Sequence, residues 1–425
     1  MSTKQGMTDK RAKSTQFALM VMFFTQGVSS LSWMPRIPEF ITNLHVSNEV
    51  WGSIIGFGGA GAIIPLVFTN KLVLKFGTTP IIKYSAVAIA AIIGFLPLTN
   101  TWWVFLALHF TMSLAFSTFN IALNSQAVAF QKRQGKVLLG SFHGAWSIGA
   151  AVSASISAAI ASYTPLFIHV AAIAVICLGL FLWSASNMLT PAEDDHGQER
   201  EKTNKVSWFK TPKYLWLLSI GTFAGMWPEL VIMDWSSVYG RQVLFLDAGQ
   251  AALPYTVFII AMIFGRFSIV KLTEKYQIAR ISQIGGAFGS VAFALAIFSS
   301  ATLASSNQPL ALGLMCLFFV IAGYGISSMV PGFYSATGNI EGLSTAQALS
   351  RMALFNYTVI IFAKMFMGSL IDRSSLPMAM IFPIAMFACA SVISGVVANR
   401  NKKLEKNKDT LAYPPTSPIS SIDVP

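Results

Sequence analysis

The chain has 425 residues, 54% of them hydrophobic and only 11% charged, with a mean hydropathy of +0.61. A soluble globular domain carries about 25% charged residues, and a chain with less than half that share cannot cover its surface with water-facing groups. A soluble enzyme, a disordered scaffold and a secreted disulfide domain are thereby excluded. The three cysteines, Cys177, Cys316 and Cys389, lie scattered in apolar runs and have neither disulfide-framework nor metal-ligand spacing.

A bilayer core of about 30 Å needs about 20 apolar residues of helix. Twelve such runs follow one another along the chain. The first six are 16–40, 48–70, 80–98, 102–130, 138–160 and 165–187, and the second six are 213–238, 248–271, 279–302, 308–332, 347–371 and 376–398. The runs are continuous rather than alternating, which predicts helices and not the strands of a barrel. The first is too long for a signal peptide, and no small-residue cleavage site follows it. Between the sixth and seventh lies a polar linker with Pro191, the acids Glu193, Asp194, Asp195, Glu199 and Glu201, and then basic residues up to Lys213. The expected fold class is therefore all-α and integral to the membrane, with twelve transmembrane helices in two pseudo-symmetric six-helix halves. The expected divisions are an N-terminal half at 1–187, a cytoplasmic linker at 188–212, a C-terminal half at 213–398 and a disordered cytoplasmic tail at 399–425.

The net charge of +12 sorts with this topology. Most of the 29 Lys and Arg residues fall at the N-terminus, around 71–83, 132–136, 200–213 and 271–280, and in the tail. Placing both termini in the cytoplasm puts all of these on one side, as the excess of Lys and Arg in cytoplasmic loops requires. A nucleic-acid partner is not expected, because that footprint needs a clustered basic surface on a soluble domain. The basic residues left over are Arg36, Arg241, Arg266, Arg351, Lys364 and Arg373.

Equal span counts around a linker suggest duplication. A shift of 200 residues lays Asn70-Lys71-Leu72-Val73-Leu74-Lys75-Phe76-Gly77 on Val270-Lys271-Leu272-Thr273-Glu274-Lys275-Tyr276-Gln277, with Lys-Leu-x-x-Lys-aromatic in common. Twelve spans with a basic loop after spans 2 and 8 resemble the Major Facilitator Superfamily, whose signature loop reads roughly Gly-x-Leu-x-Asp-Arg-Phe-Gly-x-Arg. The first copy keeps Leu72, Lys75 in place of Arg, Phe76 and Gly77, but has Asn70 for the Gly and Leu74 for the Asp. The second keeps an acid–base pair, Glu274 and Lys275, followed by Arg280. The resemblance implies a loop that locks the cytoplasmic side when the protein faces outward, with the first-copy carboxylate missing.

A closer resemblance is to the fucose-permease-like sugar:proton symporters and to a related, uncharacterised bacterial branch. It rests on Phe23-Phe24-Thr25-Gln26-Gly27 through Pro35-Arg36-Ile37-Pro38-Glu39-Phe40, Leu123-Asn124-Ser125-Gln126-Ala127-Val128, Ser141-Phe142-His143-Gly144-Ala145-Trp146-Ser147 and Asp234-Trp235-Ser236. The resemblance implies residence in a bacterial plasma (inner) membrane. It also implies proton-titrating carboxylates where this chain has Met34 and Asn120, neither of which can carry a proton, while Asn124 matches a polar position of the family.

A charge at the centre of a span costs at least about 2.5–3.5 kcal/mol and is a functional candidate by default. At about 1.5 Å per residue, Glu229 in span 7 and Lys364 in span 11 lie at equal depth, about 24 Å from the cytoplasmic face. They are expected either to pair or to leave Glu229 free to take up a proton, and Pro228 predicts a broken helix beside it. Arg36 and Asp234 form a second set near the external face. Two readings stay open for them: an Arg36–Asp234 bridge that gates the outside, or a local bond from Arg36 to Glu39 with Asp234 facing water. His109 and His143 are candidate proton carriers or structural histidines. His169 reads as packing, and His196 falls in the linker.

Gln26, Ser30, Trp33, Asn120, Asn124, Trp227, Tyr324 and Tyr334, on spans 1, 4, 7 and 10, complete a candidate pocket. Amides bond hydroxyls and rings stack on apolar sugar faces, so the set suits a hydroxylated solute. The run Gly56-Phe57-Gly58-Gly59-Ala60-Gly61 reads as close helix packing, since no strand precedes it to make a phosphate cradle.

The expected function is secondary active transport of a small polar solute, sugar-like or sugar-acid-like, by alternating access with proton coupling, in a monomer whose partners are solute, protons and lipid. No nucleotide-binding loop occurs, and no cofactor or metal is expected. The alternatives are efflux of drugs or metabolites, or a transporter-derived receptor or scaffold. An embedded enzyme would need a cluster of nucleophile and base or of metal ligands, and no such cluster is visible.

Overall fold

The computed structural model describes residues 8–136, 138–194, 211–337, 340 and 343–412. Its described residues form sixteen α-helices. The first half of the chain contributes α1 (Asp9–Leu31), α2 (Ile37–Leu44), α3 (Asn48–Gly59), α4 (Pro65–Phe76), α5 (Thr78–Phe95), α6 (Trp102–Gln134), α7 (Leu139–Ile160) and α8 (Leu166–Asn187). The second contributes α9 (Lys213–Gln242), α10 (Ala248–Leu272), α11 (Ile278–Leu303), α12 (Gln308–Ile326), α13 (Met329–Ala336), α14 (Thr345–Arg373), α15 (Leu376–Ala379) and α16 (Ile381–Ala412).

Eleven helices or end-to-end helix pairs are long and apolar enough to cross a bilayer. The fifth expected span also forms a helix, the 22-residue α7, but Ser, Gly and His make up so much of it that its apolarity falls short of the others. Several boundaries follow local chemistry. Ser47 caps α3 through the Val50 amide at 3.3 Å, Asp247 caps α10 through the Gln250 amide at 2.9 Å, and Ser344 makes a reciprocal capping box with Gln347.

Among the described residues four spans are broken inside their length, the last being span 12, at Met380 between α15 and α16. Span 1 stops at Ser32, passes through a short 3-10 turn at Met34–Arg36 and resumes as α2, with Pro35 and Pro38 in first-turn positions. Span 2 breaks at Ala60–Ala62 and restarts at Pro65. Span 10 breaks between α12 and α13 at Ser327–Ser328. The break expected at Pro228 is absent: α9 runs through it as one 30-residue helix. The last helix also continues to Ala412, past the 398 expected, so the tail is helical over its first part. Residues 413–425 and most of the linker, including His196, lie outside the described residues.

The helices sort into two groups. α1 packs on α7 and α8, α5 on α6 and α8, and α3 on α6. In the second group α9 packs on α10, α14 and α16, while α12 packs on α10 and α11 and α16 on α11. The groups meet mainly along α3 against α14 and α7 against α10. The glycine run packs closely as expected, Gly56 in the α3–α14 seam and Gly58 and Gly61 against α6. A Cβ on Gly56 would stand 2.7 Å from the Ile361 carbonyl oxygen of α14, Gly58 lies against the His109 ring and Gly61 against the Phe110 carbonyl; only Gly59 faces open space.

Both seams are closed by carboxylates at the end of the bundle away from the chain termini. Asp372 accepts from the Glu49 amide at 2.8 Å and the Asn48 side chain at 2.9 Å, at the N-terminus of α3. Asp247 accepts from the Ser162 hydroxyl at 2.7 Å, and that hydroxyl accepts from the Gly249 amide at 2.9 Å. The Gln250 amide and the Ser162 hydroxyl hold the Asp247 carboxyl below its ordinary value of 3.8.

Candidate functional site

Helix α6 carries a polar stripe toward the second group. His109 and Asn120 lie three turns apart on one face, and Asn124 follows one turn on. The Gln26 side chain on α1 donates to the Asn120 Oδ1 at 3.4 Å, and Asn124 Nδ2 donates to the same atom at 2.8 Å. Asn120 is exposed although it lies mid-helix, so the stripe is uncovered at this level. Toward the closed end it is covered. His109 meets the Trp33 ring at 5.9 Å and the Phe105 ring at 6.3 Å, and lies within electrostatic range of Lys364 on α14. Its Nδ1 is buried without a protein partner.

Two ion pairs lie in the second group, one largely buried and one partly exposed. Lys364 Nζ lies 2.7 Å from Asp234 Oδ2, and Arg266 Nη2 on α10 lies 3.8 Å from Glu229 Oε1. The pairing therefore differs from that expected, in which Lys364 partners Glu229. Depth counting sorts residues to within about one helical turn, and a lysine stem spans that difference. Tyr255 on α10 is within electrostatic range of both carboxylates, and its hydroxyl is buried with no protein partner. Burying a pair such as Lys364–Asp234 is costly unless geometry and further hydrogen bonds compensate, so its presence calls for a reason other than packing.

Arg36 takes the local alternative, but Asp234 does not face water as that reading expected: it is buried. Its guanidinium forms a two-point contact with Glu39, Nε to Oε2 at 2.6 Å and Nη2 to Oε1 at 3.0 Å, and also donates to the Thr164 carbonyl at 2.9 Å. His169 Nδ1 lies 3.4 Å from Nη1, so His169 is a neighbour of this buried arginine and not mere packing. The bridge to Asp234 is absent because Asp234 is taken by Lys364.

The remaining expected residues are dispersed. Ser30 bonds its own helix at the Gln26 carbonyl, 2.7 Å away, and Trp33 is buried against Phe40. His143 is exposed on α7, edge-on to Phe23 at 5.2 Å. Tyr334 is partly exposed on α13, near Tyr357 of α14. Trp227 stacks with Phe223 at 5.7 Å and meets Phe382 of α16 at 5.8 Å, which puts it in the core of the second group. Tyr324 lines a lateral groove with Tyr276 and Arg280. Neither Trp227 nor Tyr324 is brought to the amide cluster.

The sequence reading passed over Arg266, Tyr255, Asp372 and Asp247. Arg266 was findable as a charge inside a span. Tyr255, an uncharged residue in an apolar run, carries no such signal.

Residues 17–352 match the family model described as the Major Facilitator Superfamily. An uncharacterised MFS-type transporter of Yersinia pestis is 25% identical over 392 residues, covering 91% of this chain and 94% of that protein. The membrane protein MosC of Rhizobium meliloti is 21% identical over 388 residues, covering 91% of each. Among solved structures, a mutant of the nucleoside transporter NupG superimposes with a TM-score of 0.70 at 13% identity, covering 91% of this chain and 98% of that one. A bacterial homolog of the human lysosomal transporter Spinster, inward-facing and occupied, gives a TM-score of 0.68 at 13% identity, covering 92% and 98%. The chain thus belongs to the Major Facilitator Superfamily, as a multi-pass membrane transporter and not an enzyme.

Proposed function

We propose that the protein moves a small polar solute, sugar-like or sugar-acid-like, across the bacterial plasma (inner) membrane by alternating access, coupled to protons. The supporting observation is the pair of carboxylates inside span 7, the buried Asp234 and the partly exposed Glu229, each beside a cation on another helix and with Tyr255 within electrostatic range of both. Protonating either carboxylate releases its cation, Arg266 or Lys364, toward the interior, and losing that proton recaptures it. The solute is held by Gln26, Asn120 and Asn124, and the freed cations favour an acidic solute. His109 and His143 face this route at its two ends, and the Arg36–Glu39 contact braces the broken first span.

In the proposed cycle the six helices before residue 188 and those after 212 rock as halves. The arrangement described is the state sealed by Asp372 and Asp247 and open toward the termini, which lie in the cytoplasm. The opposite state opens these seams. NupG is a nucleoside transporter, so nucleosides belong beside sugars and sugar acids on the panel that tests this reading.

Counterflow in proteoliposomes is the test. Exchange of a labelled solute from the panel supports transport, whereas no exchange across the panel points to a receptor or scaffold and sinks the proposal. Glu229→Gln should retain exchange and lose accumulation driven by a proton gradient. A Glu229→Gln protein that still concentrates solute would remove Glu229 from the coupling route.

A further inference from the structure

The groove that holds Tyr324 lies outside the solute route. Helix α12 packs along both α10 and α11 and forms its floor. The floor is tight: a Cβ on Gly265 would stand 3.1 Å from the Tyr324 carbonyl oxygen, and one on Gly285 2.7 Å from that of Gly325. Helix α11 packs mainly on helices of the second group, so the groove opens sideways, away from the α6 stripe. Its volume is about 560 Å³. Ile269 and Leu272 make one wall, Ile284 and Phe288 the other, and Phe288 is 68% exposed at the rim. In a membrane helix bundle such a face meets lipid.

The mouth of the groove is different in kind. Arg280, at the start of α11, lines it with Tyr276 and Tyr324. The Arg280 guanidinium donates to the Gln283 side chain, and among the described residues no carboxylate forms an ion pair with it. Among the described residues neither tyrosine hydroxyl has a hydrogen-bond partner. Phe288 lies two turns along α11 from Arg280, about 12 Å. A single uncompensated cation at the membrane edge, two open hydroxyls and hydrocarbon walls behind them match one molecule: an anionic phosphate head on an acyl chain. Arginine's planar fork suits a phosphate, and basic pockets between transmembrane helices favour anionic lipid heads.

We infer that this groove binds an anionic phospholipid from the leaflet at the terminus-carrying end, with its phosphate on Arg280 and an acyl chain against Ile284 and Phe288. The chain also touches Ser327 and Ser328, where span 10 breaks. The lipid therefore braces that break.

Native mass spectrometry of the purified full chain, titrated with phosphatidylglycerol or phosphatidylcholine, tests this. The wild type should hold phosphatidylglycerol about tenfold more tightly, the value of one charge-assisted contact. Arg280→Gln should bring it to the phosphatidylcholine level, while Lys83→Gln, the same charge change on α5, should keep the preference. Equal retention by the wild type, an undiminished preference in Arg280→Gln, or an equal loss in Lys83→Gln would overturn the site. Thermal unfolding of the wild type gives an independent reading. Phosphatidylglycerol should raise the midpoint and inorganic phosphate should not, and an equal rise with phosphate would also overturn it.

Discussion

Lys364 and Asp234 lie 2.7 Å apart with little exposure of either side chain. Such a pair is held less by the gain from forming it than by the cost of breaking it. Lys364→Met leaves Asp234 buried and unpaired and should destabilise the protein by about 3–5 kcal/mol. The double variant Lys364→Met with Asp234→Leu should recover most of that loss, and thermal unfolding of the two proteins checks it. A double variant no more stable than the single one would mean that the pair is not an isolated unit. Gly58 makes the opposite demand. The His109 ring occupies the place of a Cβ, so Gly58→Ala must displace the ring from Trp33. It should lower the unfolding midpoint, whereas Gly59→Ala, facing open space, should leave it unchanged.

The first residues of the linker do more than connect. Asp194 is buried and accepts from the Thr78 amide at 2.6 Å and the Thr78 hydroxyl at 2.7 Å, which satisfies the open end of α5. Gln126 on α6 donates to that hydroxyl at 2.9 Å and to the Leu189 carbonyl at 2.9 Å, and Arg11 donates to the Met188 carbonyl at 2.6 Å. The strap thus ties the ends of α1, α5, α6 and α8 together. Asp194→Ala should cost about 1–3 kcal/mol by leaving buried donors unmet, seen as a lower unfolding midpoint. Gly77, beside it, has φ +82, and a Cβ there would stand only 2.7 Å from the Pro191 Cβ, so no larger residue fits. At the far end Asp247 is held below its ordinary value. Its contribution is therefore complete above that value and is lost only as pH falls through the lowered one. The gap in unfolding midpoint between wild type and Asp247→Asn should stay constant from about pH 8 to about pH 5 and shrink in stronger acid.

For the whole molecule, the two helix groups touch where α3 meets α14 and α7 meets α10, and the α6 stripe is uncovered beyond them. On the proposed mechanism these seams must part in every cycle. Asn48 and Asp372 are hydrogen-bonded across the first seam at 2.9 Å. In a chain whose three cysteines are replaced, oxidising Asn48→Cys with Asp372→Cys should reduce counterflow to background, and reduction should restore it. Undiminished exchange by the oxidised protein would show that this seam does not open.

Composition and run length alone determined an all-helical membrane protein and most of its helix positions, because about 20 apolar residues in a row have few other stable uses. The resemblance in the loops around Lys75 and Lys275 pointed to the family that the match over residues 17–352 bears out. The presence of charge inside spans was also legible, since it follows from run length and position. Partner choice was not. Glu229 with Arg266, Asp234 with Lys364 and Arg36 with Glu39 depend on helix rotation and tilt, and depth counting carries neither. The same holds for Trp227 and Tyr324. Both are polar-tipped rings on the expected spans, yet only the packing of α16 against α9 and of α12 against α10 and α11 decided that one sits in a core and the other lines a lateral groove.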